Sequence, residues 1–362
     1  MKFNLARGNI HIHSNLSDGT SSIEEIARDA KKAGLDFIVI NDHEHLKGKD
    51  LGLEGFYDDT MVLIGQEVNR LQNHYLVLGL DEVIGNDEED PEKIAKEVKG
   101  KGGIGFIAHP FEDGSPLVNN GRTYPWTDFN IDGFDGMEVS NYSSEWRDGA
   151  QTILHAVYAN FIDDLAFMDP PNRHCLAKWK ELTKRKKVTG IIGSDAHAPI
   201  FRVGPFSFKV LSYKYLFNSG NNYVYLERPL KWYKDRHGLK EGFERAKKVL
   251  IKALKAGNVF ISYDRVGKGD DLELYLQDLK NDRFYFPGDV TPPGKYLLIA
   301  GFTKKGKNKL AKLNLESEDG SVTTFALPYR DKISLNRGRY IFSISHPKLE
   351  YWIIANPIYV WH

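Results

Sequence analysis

A single cysteine, Cys175, in 362 residues excludes an intramolecular disulfide and any metal site built from thiolates alone. It falls in the helical stretch NRHCLAKWKEL, where a small buried side chain is a better reading than a nucleophile. Charge of one sign is lacking as well. Lys+Arg and Asp+Glu stand at 49 each, so no bulk positive field argues for nucleic acid. The short basic runs around Lys184–Lys187 and Lys304–Lys307 read as a solvated helix end and a hairpin tip. No apolar run approaches membrane-spanning length, and MKFNLARGNIHIH has no signal-peptide core, so a soluble cytoplasmic protein is expected.

What is present is an ordinary globular composition, 41% hydrophobic and 27% charged, on a chain long enough for two domains. Gly8 to Ser14 reads as a first strand. Ser22-x-x-Glu25 is a capping box that opens a helix with Ile23, Ile26, Ala27 and Ala30 on one face, and Gly34 ends it. LDFIVIND follows as a continuously apolar strand, the kind buried on both faces. Further strands are expected at MVLIGQEV, HYLVLGL, GGIGFIAHP, FDGMEVSN and KVTGIIGSD, with a helix from Pro91. Strands alternating with helices point to a parallel sheet or barrel whose site lies at the strands' carboxyl ends. Between Ser143 and Lys187 the spacing of Trp146, Ile153, Leu154, Val157 and Phe161 predicts helices with an apolar stripe. A last helix, Leu239 to Ala256, is stopped by Gly257, and NVFISYD closes the barrel. From about Asp270 short alternating strands separated by turn residues predict an antiparallel β-sandwich. Its Trp352 and Trp361 read as core residues, or else as the place to look for a partner. The expected domains are thus 1–265, with a helical insertion over about 143–187, and 270–362.

Nine residues of metal-ligand type fall at or just past these strand ends. They are His11, His13, Asp18, His43, Glu67, His109, Glu138, Asp195 and His197. Imidazole and carboxylate suit Zn²⁺, Mn²⁺ or Fe²⁺, and ions sharing a carboxylate make a hydrolytic centre. His11-x-His13 on one strand puts both imidazoles on the same side. Glu67 and Asp195 offer oxygens able to bridge ions. Any one of these histidines alone would read as an ordinary satisfied polar residue, but nine ligand-type residues at successive strand ends, five of them histidines, would not. His45 and His74 are read as lying outside the ligand set, His74 as an outer support or a substrate contact. His155, His174, His237 and His346 have no companion motif.

HIHSNLSDGT, INDHEHL, GQEVN, AHPF, MEVSN and GSDAHAP resemble, in order and spacing, the motifs of the polymerase and histidinol phosphatase (PHP) superfamily, over roughly residues 8–212. The β-sandwich ending in ANPIYV resembles the branch that includes carbaryl hydrolase-like metallohydrolases. The resemblance implies a distorted (β/α)7 PHP barrel holding two or three divalent ions. His11, His13, Glu67 and Asp195 would hold the first ion, Glu67, His109 and Glu138 the second, and Asp18, His43 and His197 the third. Many relatives have His in place of Asp18, and His or Cys in place of Glu138, which Asn141 could supplement.

The reading that follows is a metal-dependent phosphoesterase acting on a small phosphomonoester or nucleotide, with Asp195, His197, Glu67 and Arg202 in the catalytic set. A phosphate substrate calls for an arginine, and Arg202, Arg122 and Arg70 are the candidates, Arg202 first because its motif fixes it near the site. A carbamate, ester or amide hydrolase using the same centre is the alternative. A catalytically silent metal-binding scaffold is the third reading. No nucleic-acid or membrane partner is expected.

Overall fold

The computed structural model describes residues 3–152, 154–155, 158, 171–203, 206–304 and 306–361. The strand Asn4–Ile12 runs parallel to Phe37–Ile40 and to Thr189–Ala196. Phe37–Ile40 lies parallel to Thr60–Ile64, whose chain continues through Gly65 into Gln66–Val68. That segment pairs with Tyr75–Leu78, and Tyr75–Leu78 pairs with Ile104–Ile107, both antiparallel. Gly136–Asn141 joins Ile104–Ile107 to Thr189–Ala196 in parallel, and the ring closes. Tyr75–Leu78 therefore runs against its neighbours. The few residues between Val68 and Tyr75 are too short for a crossover helix and permit only a hairpin.

Alternation decides where each strand residue goes. Ile38 and Ile40 pack with Ile23, Ile26, Ala27 and Ala30 of the helix Ile23–Ala33. Phe37 and Val39 point the other way and pack with Phe243, Ala246, Leu250 and Leu254 of the helix Leu239–Ala256. Both faces are covered, which is why these strands read as unbroken apolar runs. Ser22 and Glu25 form the reciprocal cap expected from the sequence, and Gly257 stops its helix in the left-handed conformation at φ 76°.

Beyond the ring, Gly220–Leu226 extends the sheet from Asn4–Ile12, and Val259–Tyr263 pairs with it antiparallel. Two antiparallel layers follow. One contains Leu272–Asp278, Gly294–Phe302 and Tyr329–Leu335; the other contains Lys312–Glu316, Gly338–His346 and Leu349–Ala355. Their inner faces share one apolar cluster with Tyr223, Tyr225 and Phe260. Trp352 is buried in it, with its indole N–H donating to the Gly267 carbonyl, so its side chain is not free for a partner.

The stretch 143–187 departs from the expected apolar stripe. Trp146 is buried on the helix Tyr142–Gly149, but Leu154 is 79% exposed, with no described element covering it. Ile153, Val157 and Phe161 lie outside the described residues. Among the described residues no helix is long and apolar enough to cross a membrane.

Candidate metal centre

The ligand-type residues converge at the carboxyl ends of the ring strands, and three of them sit on strained backbone. His11, His109 and Asp195 have φ values of 67°, 22° and 50°. Left-handed backbone at non-glycine residues costs roughly 1–3 kcal/mol each and persists only where surrounding bonds enforce it. Here they do. The His11 N–H donates to Asn41 Oδ1 (3.2 Å), the Ser194 hydroxyl donates to the His11 carbonyl (3.0 Å), and the His109 N–H donates to Glu138 Oε2 (2.7 Å). The loop bearing Asp18 is tied down by Asp42, which accepts from the Ser14 N–H and from the hydroxyls of Ser14 and Ser17.

Glu67 is the hub. Its Oε2 lies 3.2 Å from Nε2 of His11 and of His13 and 3.3 Å from Nδ1 of His43. Its Oε1 lies 2.7 Å from Nδ1 of His74 and 3.3 Å from Nε2 of His109. Asp195 Oδ1 is 3.3 Å from Nε2 of both His11 and His13, and 3.5 Å from Nδ1 of His197. Asp18 meets His197 Nε2 at 3.2 Å and His43 Nε2 at 3.5 Å. Among the described residues three groups could each hold an ion: His13 with Asp18, His43 and His197; His11 with His13 and Asp195; His11 with Glu67 and His109.

The donor set fits metal ions on two counts. Ligands about 2.1 Å from one ion at tetrahedral or right angles stand about 3.0–3.4 Å from each other, close to the spacings just given. In addition, His11 Nε2, both ring nitrogens of His13, His43 Nδ1, His74 Nε2 and His109 Nδ1 are buried without a hydrogen-bond partner. Buried polar atoms are rarely left so unless something else engages them.

The charges are mutually dependent. Burial works against a charged His13, yet Asp195 and Glu67 push its pKa up to about 10. His109, against the same cost of burial, is raised to about 9 by Glu112 and Glu67. Burial alone would raise Glu67, but the imidazoles of His11, His74 and His43 pull it well below the usual carboxylate range. Asp195 is depressed in the same manner, burial being outweighed by His11 and His197. The pocket thus stabilises carboxylate anions wherever positive charge is supplied.

Glu138 does not join any of the three groups, contrary to expectation. It is fully buried and spent on other partners: Oε1 faces His11 Nδ1 at 2.8 Å, and Oε2 accepts from the His109 N–H and from the Asn141 amide (2.8 Å). It stands behind His11, orienting the ring, as Asn141 in turn orients Glu138. His74 does the same for Glu67. The side chain of Arg202 lies outside the described residues; its backbone forms a hairpin strand, Ile200–Val203, paired with Phe206–Lys209.

The centre opens into a cleft of about 1340 Å³, lined by Asp18, His43 and His197 together with Tyr124, Arg122 and Arg147. Arg70 is engaged by Glu44 at 2.6 Å, and Arg122 lies over the Tyr124 ring, 5.3 Å from its centroid. Two residues not singled out in the sequence stand here: Glu112, with its side chain 1% exposed, and Arg147, whose Nη2 is 2.7 Å from Glu112 Oε1. Adjacency to His109 in HPFED is the only sequence signal that pointed to Glu112.

No family model matches the chain. It is 27% identical to an uncharacterized protein of Methanocaldococcus jannaschii over 162 residues, covering 40% of this chain and 85% of that one. Among solved structures it is similar to a two-domain protein of Bacteroides vulgatus containing a predicted PHP-like metal-dependent phosphoesterase. The TM-score is 0.46 at 13% identity, over 99% of this chain and 95% of that one. It is also similar to an amidohydrolase from Chromobacterium violaceum with bound sulfate and no metal, at a TM-score of 0.32 and 14% identity, over 65% and 98% of the two chains.

Proposed function

We propose that the protein is a metal-dependent hydrolase of the PHP superfamily, a seven-staved barrel with a C-terminal β-sandwich, and that it cleaves a small phosphomonoester or nucleotide. The observation that carries the reading is the sharing of Glu67 and Asp195 among histidines from separate strand ends. Carboxylates shared in this way would suit a cluster of two or three Zn²⁺, Mn²⁺ or Fe²⁺ ions. His11, His13 and Asp195 would hold one ion, Glu67 and His109 a second, and Asp18, His43 and His197 a third. When bound, the ions supply Lewis acidity and make water acidic near neutral pH. The chain's own residues fix that arrangement: His74 holds one oxygen of Glu67, Glu138 holds His11, and Asp42 holds the loop that presents Asp18. No side-chain nucleophile is required, and Cys175 is buried, its thiol pKa pushed well up by that burial. The substrate is a small molecule met in the cytoplasm.

Elemental analysis of the purified protein, paired with p-nitrophenyl phosphate turnover before and after metal stripping and restoration, tests this. Two or three ions per chain with restorable turnover is the expected result. Bound metal with activity on aryl esters or carbamates but none on aryl phosphates would establish the carbonyl-hydrolase alternative. Protein that cannot be loaded would refute both.

A further inference from the structure

We propose that Arg147 is the anion clamp of the cleft, gripping two non-bridging oxygens of the substrate phosphate, and that Glu112 is the residue that positions it. The proposal rests on the phosphoester reading above and names the side chain that would separate phosphate esters from neutral ones.

The other arginines described at the cleft are occupied differently. Arg70 has a 62% exposed side chain and is spent on Glu44, and Arg122 lies over a tyrosine ring. Arg147 is held. Its side chain is 13% exposed and lines the cleft, and Nη2 meets Glu112 Oε1 at 2.7 Å. Glu112 is anchored from three directions. Its Oε1 also accepts the Ser144 hydroxyl and lies 3.4 Å from His109 Nδ1, while Oε2 accepts the Tyr124 N–H at 3.1 Å. One carboxylate therefore ties the guanidinium to a ligand-type histidine, to the helix Tyr142–Gly149 and to the loop that bears Tyr124.

The plain alternative is an ion pair that only neutralises Glu112. The pairing is too one-sided for that. A guanidinium carries five donors in a planar fork, yet neither Nε nor Nη2, both buried, has a partner in hydrogen-bond geometry among the described residues, although Nη2 stands 2.7 Å from Glu112 Oε1. Burying such a donor without a partner is costly unless something else takes it. Arg147 lines the same cleft as His109 and Asp195, which puts it within reach of a molecule held at the centre. A planar fork at the mouth of such a centre matches a tetrahedral oxyanion and offers less to an uncharged carbonyl.

The test uses the full-length, metal-loaded protein as wild type, Arg147→Met, Arg147→Lys and Glu112→Gln. Inorganic phosphate binding is read by calorimetry, independently of turnover. Kinetics are read on p-nitrophenyl phosphate and on p-nitrophenyl acetate, and metal content by elemental analysis. Arg147→Met is expected to weaken phosphate binding, and to raise KM for the phosphate ester, by about tenfold or more. Metal content should stay at the wild-type level, and added guanidinium should restore part of the loss. Arg147→Lys keeps charge and bulk, so it carries the test if the methionine variant unfolds; a loss of about threefold or more is expected from the missing fork. Glu112→Gln should fall between the two arginine variants.

Phosphate affinity and KM unchanged in an arginine variant with full metal content would overturn the clamp. So would loss of metal in parallel with loss of phosphate binding, because Arg147 would then act through the cluster. Wild-type protein that binds phosphate through Arg147 but hydrolyses no phosphate ester would leave the clamp standing and remove the phosphoesterase reading. Metal-loaded wild type that binds no phosphate would remove the clamp whatever it hydrolyses.

Discussion

Oε1 of Glu138 lies 2.8 Å from Nδ1 of His11, on the opposite edge of the ring from the nitrogen that faces Glu67 and Asp195. That bond fixes which nitrogen of His11 is free for the centre. Glu138→Gln keeps the shape and removes the charge. It should leave the fold intact and weaken metal affinity about 10–100-fold, as outer partners of ligating histidines do. Metal titration with a competing chelator reads this directly, and unchanged affinity would mean that His11 needs no such orientation.

Gly193 makes that contact possible. A Cβ at this position would stand 1.7 Å from Glu138 Oε1, so Gly193→Ala must displace the carboxylate. The expected phenotype is that of a lost His11–Glu138 bond with added strain: poorer metal loading than Glu138→Gln, and a lower Tm by several degrees, corresponding to about 1–3 kcal/mol of overpacking. Thermal scans of the two variants side by side decide it, and a Gly193→Ala protein that loads metal as well as wild type would contradict the geometry.

His13 contacts Glu67, Asp195 and Asp18, and Asp195 contacts three histidines. Replacing either by alanine should cut turnover by more than about 100-fold, beyond the effect of losing an outer partner. The apolar packing of the ring lies below the strand ends, so circular dichroism should remain native. Full activity in either variant would sink the assignment of the centre.

Glu145 gives the fold a pH dependence away from the ligands. Burial, only partly offset by hydrogen bonds from Ser140 and from the N–H groups of Asn172 and Asn141, pushes its pKa up from 4.5 to about 8. Between those values the unfolded chain sheds a proton that the folded chain keeps, so this group's contribution to stability falls as pH rises through the window. Glu145→Gln cannot ionise. Its Tm should match wild type at pH 4, exceed it by a margin that grows toward pH 8, and then hold level. A margin independent of pH would show that the carboxyl is ionised in the folded protein.

The ring strands and the converging histidines were legible because each histidine follows an apolar run and each run had to be covered on both faces. Ser22 and Gly257 were legible because cap chemistry is local. Glu138 misled for the same reason that Glu67 informed: both are carboxylates on ring strands. The register of Gly136–Asn141 against Thr189–Ala196 shifts between Glu138 and Ser140. The Glu138 side chain goes behind His11, and no spacing rule foretells it. Glu112 and Arg147 were missed because their relation is purely tertiary, joining a loop after one strand to a helix after another. Motif adjacency drew attention to Arg202, whose side chain lies outside the described residues.

The strand Val259–Tyr263 lies between Gly220–Leu226 and Leu349–Ala355, and Asn356 clasps the backbone of Gly190 from both its amide oxygen and its amide nitrogen. The tail is therefore a selvedge on the woven sheet rather than a tag on its border. A chain cut after the barrel would keep every ligand-type residue and lose its finish: a raw row of N–H and C=O groups along Val259–Tyr263, open to the next molecule with the same cut. Such a fragment should clump before it can be assayed, so the chemistry of this centre is to be sought only on the uncut chain.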